Sequence, residues 1–145
     1  MANVVLDTNI ILDYLCANRP EHRSAVDALE AIYEEPGCMP VVLLATLKDA
    51  HYIMNRVYHN EPIVRQRLRD FAEIVELAEL TTPVVRAAFA SDEPDFEDAI
   101  VRVSAEHMGA RAILTRDADA YKHSHVPCMG ARAYVQQFVE YDSAL

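Results

Sequence analysis

Asn3-Val4-Val5-Leu6-Asp7-Thr8-Asn9-Ile10-Ile11-Leu12-Asp13 is the stretch whose reading decides the fold. Val4, Val5 and Leu6 form a short apolar run, β-branched at its start, that reads as a strand buried on both faces. The run ends in a carboxylate, and apolar residues resume at Ile10, Ile11 and Leu12 in a new element. In open α/β sheets the ligand site lies outside the carboxyl ends of the strands, so Asp7 stands at the mouth of such a crevice. Thr8 and Asn9 can turn the chain and cap the next helix, and an Asn amide can hold a carboxylate in place. Two readings of Asp7 stand at this point: a functional carboxylate, and a helix cap.

Outward from this stretch, helices and strands alternate. Residues 10–16 read as a short helix broken by Asn18-Arg19-Pro20-Glu21, and residues 22–34 carry a helical stripe that Pro36-Gly37 ends. A strand over 39–44, helices over 45–58 and 61–71, and a strand over 74–77 follow. Thr81-Thr82-Pro83 opens a helix running to Phe89. The acid-rich run 91–98 opens another, with Phe96, Ala99, Ile100, Val103 and Met108 on its buried side and Gly109 as its stop. Ala112-Ile113-Leu114 reads as a buried strand leading into Thr115-Arg116-Asp117. A short helix through Tyr121, a strand over 126–129 and a helix over 131–141 complete the chain. Such alternation predicts a three-layer α/β/α sandwich around a central, mostly parallel sheet with right-handed connections, formed by residues 1–145 as one domain.

Composition narrows the function. Of the 145 residues, 52% are hydrophobic and 25% charged, which is ordinary for a folded domain and argues against disorder. The three cysteines are unevenly spaced and form no zinc pattern with histidine, so a reduced, cytoplasmic setting is expected. No apolar run approaches membrane-spanning length, and no basic n-region precedes an apolar one. A net charge of −10 excludes recognition of nucleic acid by bulk positive charge. A polyanionic substrate would require metal ions or a local basic patch, and an acidic surface suits a basic protein partner.

Three segments place carboxylates at comparable positions: Asp7 after the first strand, Asp117 after the 112–114 strand, and Asp95 and Asp98 at a helix start. Capping and the helix dipole account fully for Asp95 and Glu97. Asp98 lies one step inside the helix beside its apolar face, where those rules explain it less well, and Asp117 can cap the short helix. If the two strands are neighbours, Asp7 and Asp117 converge at one sheet edge. Clustered carboxylates without Cys or His suit Mg²⁺ or Mn²⁺, ions that assist phosphodiester cleavage.

Val4-Val5-Leu6-Asp7-Thr8-Asn9 resembles the opening of the PIN-domain ribonucleases, in their toxin-like, VapC-like form. Asp95-Phe96-Glu97-Asp98-Ala99 is similar to that family's third acidic motif, and Ile113-Leu114-Thr115-Arg116-Asp117 to its fourth. The resemblance spans essentially the whole chain. It implies a Mg²⁺- or Mn²⁺-dependent endoribonuclease acting on RNA, commonly the toxin of a toxin–antitoxin pair, with homodimerisation expected. Asp7, Asp98 and Asp117 would be its metal-binding acids, with Asp49 or Asp95 completing the shell and Asn9 and Thr115 as supports. One departure is visible: where the family carries a further acid, most often Glu, this chain has Leu47-Lys48-Asp49-Ala50. Asp49 would substitute with a shorter reach, and Lys48 and Arg116 are candidate contacts to a substrate phosphate. The acidic pocket would accept an Arg or Lys from an antitoxin.

Other features have plainer readings. Arg65, Arg67 and Arg69, with Arg56 nearby, offer an RNA-facing edge or an exposed helix balanced by acids. Lys122, His123 and His125 belong to a surface loop near Asp117. Tyr134, Phe138 and Tyr141 form a packing stripe rather than a base-stacking platform. A PIN-like module that binds RNA or protein without cleaving is the alternative. A phosphoryl-accepting Asp7 lacks a second acid at Asn9 and a following Lys motif.

Overall fold

Val4, Val5 and Leu6 are all withdrawn completely from solvent, as a strand sandwiched between two helical layers must be. The computed structural model describes residues 2–140. In chain order the elements are β1 (Ala2–Leu6), α1 (Thr8–Leu15), α2 (His22–Glu34), β2 (Cys38–Leu43), α3 (Leu44–Tyr58) and α4 (Glu61–Ala72). They continue with β3 (Glu76–Ala78), α5 (Thr82–Ala90), α6 (Phe96–His107), β4 (Ala112–Leu114), β5 (Cys128–Met129) and α7 (Ala131–Val135). A 3-10 turn at Ala118–Tyr121 lies between β4 and β5, and a π-helical turn at Gln136–Glu140 extends α7.

The five strands are ordered β3-β2-β1-β4-β5, and every pairing is parallel. Side chains alternate across the sheet. Val4, Leu6, Val42, Ala112 and Leu114 face a core built with α1, α2, α3, α4 and α7. Val5, Leu43 and Ile113 face the other way, onto Val101 and Ala105 of α6, with Tyr121 and Val126. Helix α5 lies outside α6, Val84 and Ala88 meeting Ala99 and Val103. The predicted α/β/α sandwich is therefore present, with a sheet that is wholly rather than mostly parallel.

Local signals set most boundaries. Thr81 accepts the Val84 amide and Asn60 the Ile63 amide, capping α5 and α4, each with Pro in the first turn. Gly109, at φ 61°, ends α6 in the left-handed region where a Cβ is strained. Other expectations shift. The strand foreseen at 74–77 pairs only over Glu76–Ala78, because its register is fixed by Val41, Val42 and Leu43 of β2. The 126–129 strand pairs at Cys128 and Met129 alone. The last helix keeps α geometry only to Val135, and Tyr141 lies outside the described residues. Phe96, expected inside, is 41% exposed and stacks on Phe89 at 4.5 Å between ring centroids. It opens α6, and α5 covers the Ala99–Val103 stripe further along.

Arg102, on α6, was not foreseen as a buried charge. Its guanidinium bonds Asp92 at 3.1 Å and Glu93 at 3.2 Å and lies 3.2 Å from Glu106. Burial acts to lower its pKa, and the hydrogen bonds to Asp92 and Glu93 outweigh it, so the net shift is upward. This clamp ties residues 92 and 93 to the helix they precede. Arg102→Met should destabilise the protein by about 3 kcal/mol in chemical denaturation, because the Glu93 carboxylate, only 3% exposed, is left buried without its partner.

Candidate active site

Strand order places the site. The chain moves from β1 outward to β2 and β3, then returns to lay β4 on the opposite side of β1. Such a reversal opens a crevice at the carboxyl ends of the two central strands. Val4–Leu6 pair in register with Ala112–Leu114, so Asp7 and Thr115 emerge side by side. The Asp7 amide continues the ladder by donating to Leu114 O at 2.9 Å.

The cap reading of Asp7 holds, and only one of its carboxylate oxygens is used for it. Asp7 is the N-cap of α1, its Oδ1 accepting the Thr8 amide at 2.8 Å. Its Oδ2 faces the crevice and accepts the Thr115 hydroxyl at 3.0 Å and the Tyr121 hydroxyl at 3.0 Å. Thr115 in turn accepts the Asp117 amide at 3.1 Å, which links the ends of β1 and β4 through one side chain.

Helix α6 delivers the second carboxylate. Asp95 caps it, accepting the Asp98 amide at 3.0 Å, and the Asp98 side chain turns inward, where Tyr121 reaches its Oδ1 at 3.4 Å. Partial burial, then the charges of Asp95, Asp7 and Glu93, push the Asp98 carboxyl up to about 6. The Tyr121 phenol moves upward as well, first by burial and then by the charges of Asp7 and Asp98. No Lys, Arg or His pairs with Asp7 or Asp98 among the described residues.

Among the described residues, the carboxylates of the other named acids share no hydrogen-bonding hydroxyl with this pair. Asp117 is exposed at the end of β4 and caps the 3-10 turn, accepting the Ala120 amide at 3.3 Å. Asp95 is exposed and spends its carboxylate on the cap, as helix rules foresee. Asp49 is half-buried in the second turn of α3, without a hydrogen bond or ion pair among the described residues. Asn9 does not support Asp7: its exposed amide oxygen faces Arg19 at 3.5 Å, so of the two expected supports only Thr115 makes the bond.

A basic cluster borders the crevice on the α1 side. Asp13, 1% exposed within the apolar run of α1, accepts from Arg19 Nε at 2.8 Å and lies 3.5 Å from Arg116 Nη1. One carboxylate facing two guanidiniums leaves a positive surplus. Asp13, Thr115, Arg116 and Arg132 share the wall of a cleft of about 470 Å³. Lys48 lies elsewhere, in an apolar-floored cleft with His51, Arg65 and Arg69 between α3 and α4.

Among the described residues, no three His, Cys, Asp or Glu side chains are grouped to hold a metal ion. Asp7 and Asp98 nonetheless meet at one hydroxyl oxygen, and Mg²⁺ commonly takes one or two protein carboxylates, filling its shell with water and substrate phosphate. The donors are hard oxygens without a compensating cation, so this pair fits a hard divalent ion. Sequence reading passed over Tyr121 and Asp13. Tyr121 lies four residues after Asp117, a spacing that lets one helical turn fold back over the strand ends. Asp13 was visible as an acid inside an apolar helix.

The PIN domain family profile matches residues 3–119. Among curated proteins no sequence relative is found. VapC20 of Mycobacterium tuberculosis, a sarcin-ricin loop cleaving toxin, superposes with a TM-score of 0.66 at 15% identity, over 83% of this chain and 94% of that one. VapBC2 of Rickettsia felis, bound to a DNA fragment from its promoter, gives 0.68 at 12%, over 88% and 96%. A toxin–antitoxin complex from Klebsiella pneumoniae gives 0.62 at 23%, over 82% and 90%. At these identities the likeness speaks to the fold.

The raised Asp98 pKa fixes a stability profile. Between the ordinary carboxyl value of 3.8 and about 6 the folded, metal-free protein binds more protons than the unfolded chain, so this group's contribution falls as pH rises through that window. Asp98→Asn should therefore raise the metal-free melting temperature at pH 7.5, and the gain should vanish below about pH 4, as read by thermal scans across pH.

Proposed function

The chain belongs to the PIN-domain family, and on that premise we propose that it is a Mg²⁺- or Mn²⁺-dependent endoribonuclease, the toxin of a toxin–antitoxin pair. The supporting observation is the convergence of Asp7 and Asp98, from separate elements, at the sheet's switch point without a cation of their own. Asp7 and Asp98 would hold the ion, with Asp117, whose carboxylate is exposed nearby in the chain after Thr115, as third ligand. Asp95 and Asp49 are the remaining candidates for the shell. Asp7 and Asp98 would hold a divalent ion there, whose chemistry would be charge neutralisation at a phosphodiester and activation of water.

The residues divide the other tasks. Thr115 would orient the Asp7 carboxylate by donating to Oδ2. Arg116, held only at 3.5 Å and exposed on the strand end beside Asp117, would take a phosphate of the RNA backbone, with Lys48 a more distant contact. This local basic edge answers the net charge of −10, which otherwise repels RNA.

A partner is part of the reading. The K. pneumoniae neighbour is a toxin–antitoxin complex. Here Tyr52, Val57 and Ile63 leave apolar surface on α3 and α4 exposed at 59%, 64% and 52%, surface that an antitoxin or a second copy would cover. An antitoxin Arg or Lys would enter the acidic pair. No helix among the described residues is long and apolar enough to cross a membrane, in keeping with a cytoplasmic site of action. A binding module without cleavage is the second reading, favoured by Lys48-Asp49 in place of the usual Glu and by the absence of a three-carboxylate group among the described residues.

Calorimetry with Mn²⁺ and an RNA-cleavage assay decide between them. Wild type should bind the ion and cleave, while Asp7→Asn and Asp98→Asn should lose at least about 100-fold in rate and remain folded. Cleavage that survives Asp7→Asn would sink the nuclease assignment, and RNA binding without metal-dependent cleavage would establish the binding module. Arg116→Gln should weaken RNA binding across sequences and reduce the magnitude of the salt-dependence slope by about 0.7, the increment for one single-strand phosphate contact.

A further inference from the structure

Tyr121 occupies the position between the two acids that a cation would be drawn to. Its hydroxyl lies 3.0 Å from Asp7 Oδ2 and 3.4 Å from Asp98 Oδ1, and it has one proton to offer two carboxylates. The Thr115 hydroxyl already serves the same Asp7 oxygen, and nothing else among the described residues donates to the Asp98 side chain. The ring is 2% exposed and packs with Val5, Ile113 and Val126, so the hydroxyl cannot leave without disturbing the core. A phenol wanted only for packing would not need its oxygen in this place.

We propose that the Tyr121 hydroxyl is a resident stand-in for the cation, which holds Asp7 and Asp98 together in the metal-free protein and competes with a divalent ion for them. Tyr121 is thus a positioning residue that sets metal affinity. The inference rests on the reading of Asp7 and Asp98 as a metal site. Its physical content is a balance. The phenol proton offsets part of the repulsion between two carboxylates, so an incoming ion relieves less than it would between bare acids, and it must also displace the hydrogen bonds already made.

Tyr121→Phe separates these effects, because the ring and its packing are retained while the hydroxyl is removed. Mn²⁺ is titrated calorimetrically into wild type, Tyr121→Phe and Asp98→Asn, and melting temperatures are recorded with and without the ion. Tyr121→Phe should bind Mn²⁺ about tenfold more tightly, the scale of one lost hydrogen bond to a charged group. It should also melt lower than wild type without metal and gain more on saturation. A merely structural hydroxyl would lower the metal-free melting temperature and leave the affinity unchanged, which would overturn the inference. Weaker binding would overturn it too, by making the hydroxyl a support of the bound ion. If neither wild type nor Tyr121→Phe binds, the metal site falls and this inference with it. Equal binding by the two, lost in Asp98→Asn, removes this inference alone.

Discussion

The parallel pairing of Val4–Leu6 with Ala112–Leu114 is the constraint on which everything else rests. It joins segments more than a hundred residues apart, and all six paired residues are fully buried, so a slip of one residue would turn apolar side chains against the wrong layer. With that register fixed, Asp7 and Thr115 leave the sheet together, and the Thr115 hydroxyl reaches Asp7 Oδ2. The 3-10 turn after Asp117 then returns Tyr121 over the same edge. Neither strand is longer than five residues, yet their contact decides where the candidate site can be.

Electrostatics pull against this arrangement. Asp7 and Asp98 meet without a basic partner, and the charges of Asp95 and Glu93 add to the repulsion on Asp98. Elsewhere buried charges have partners of opposite sign: Arg102 meets Asp92, Glu93 and Glu106, and Asp13 is shared by Arg19 and Arg116. Acids that meet in a crevice without a cation mark it as the candidate site. Two neutral hydroxyls, of Thr115 and Tyr121, moderate the repulsion.

The fold was legible to a large degree because its signals are local. An apolar run ending in acid marks a buried strand; Thr81 before Pro83, and Gly109 after α6, mark helix ends by backbone chemistry that needs no neighbour. Short elements were harder. A strand of two or three residues is defined by its pairing partner rather than by its own composition, which is why the 74–77 and 126–129 readings moved. Phe96 was misassigned because periodicity reports a stripe but not where the covering layer begins.

For the candidate site, the sequence by itself determined the identity and order of the acids, the oxygen-only donor chemistry and the role of Asp95 as a cap. Each follows from residue type and spacing within one element. Tertiary structure alone decided which acids meet. It joined Asp98 to Asp7 through the Tyr121 hydroxyl and gave Asp117 and Asp95 capping bonds of their own. It also turned Asn9 to Arg19, buried Arg102, and placed the Tyr121 hydroxyl between two carboxylates. The reason is that side-chain direction across a sheet edge depends on strand order and register, which are properties of pairs of segments, and no single segment contains them.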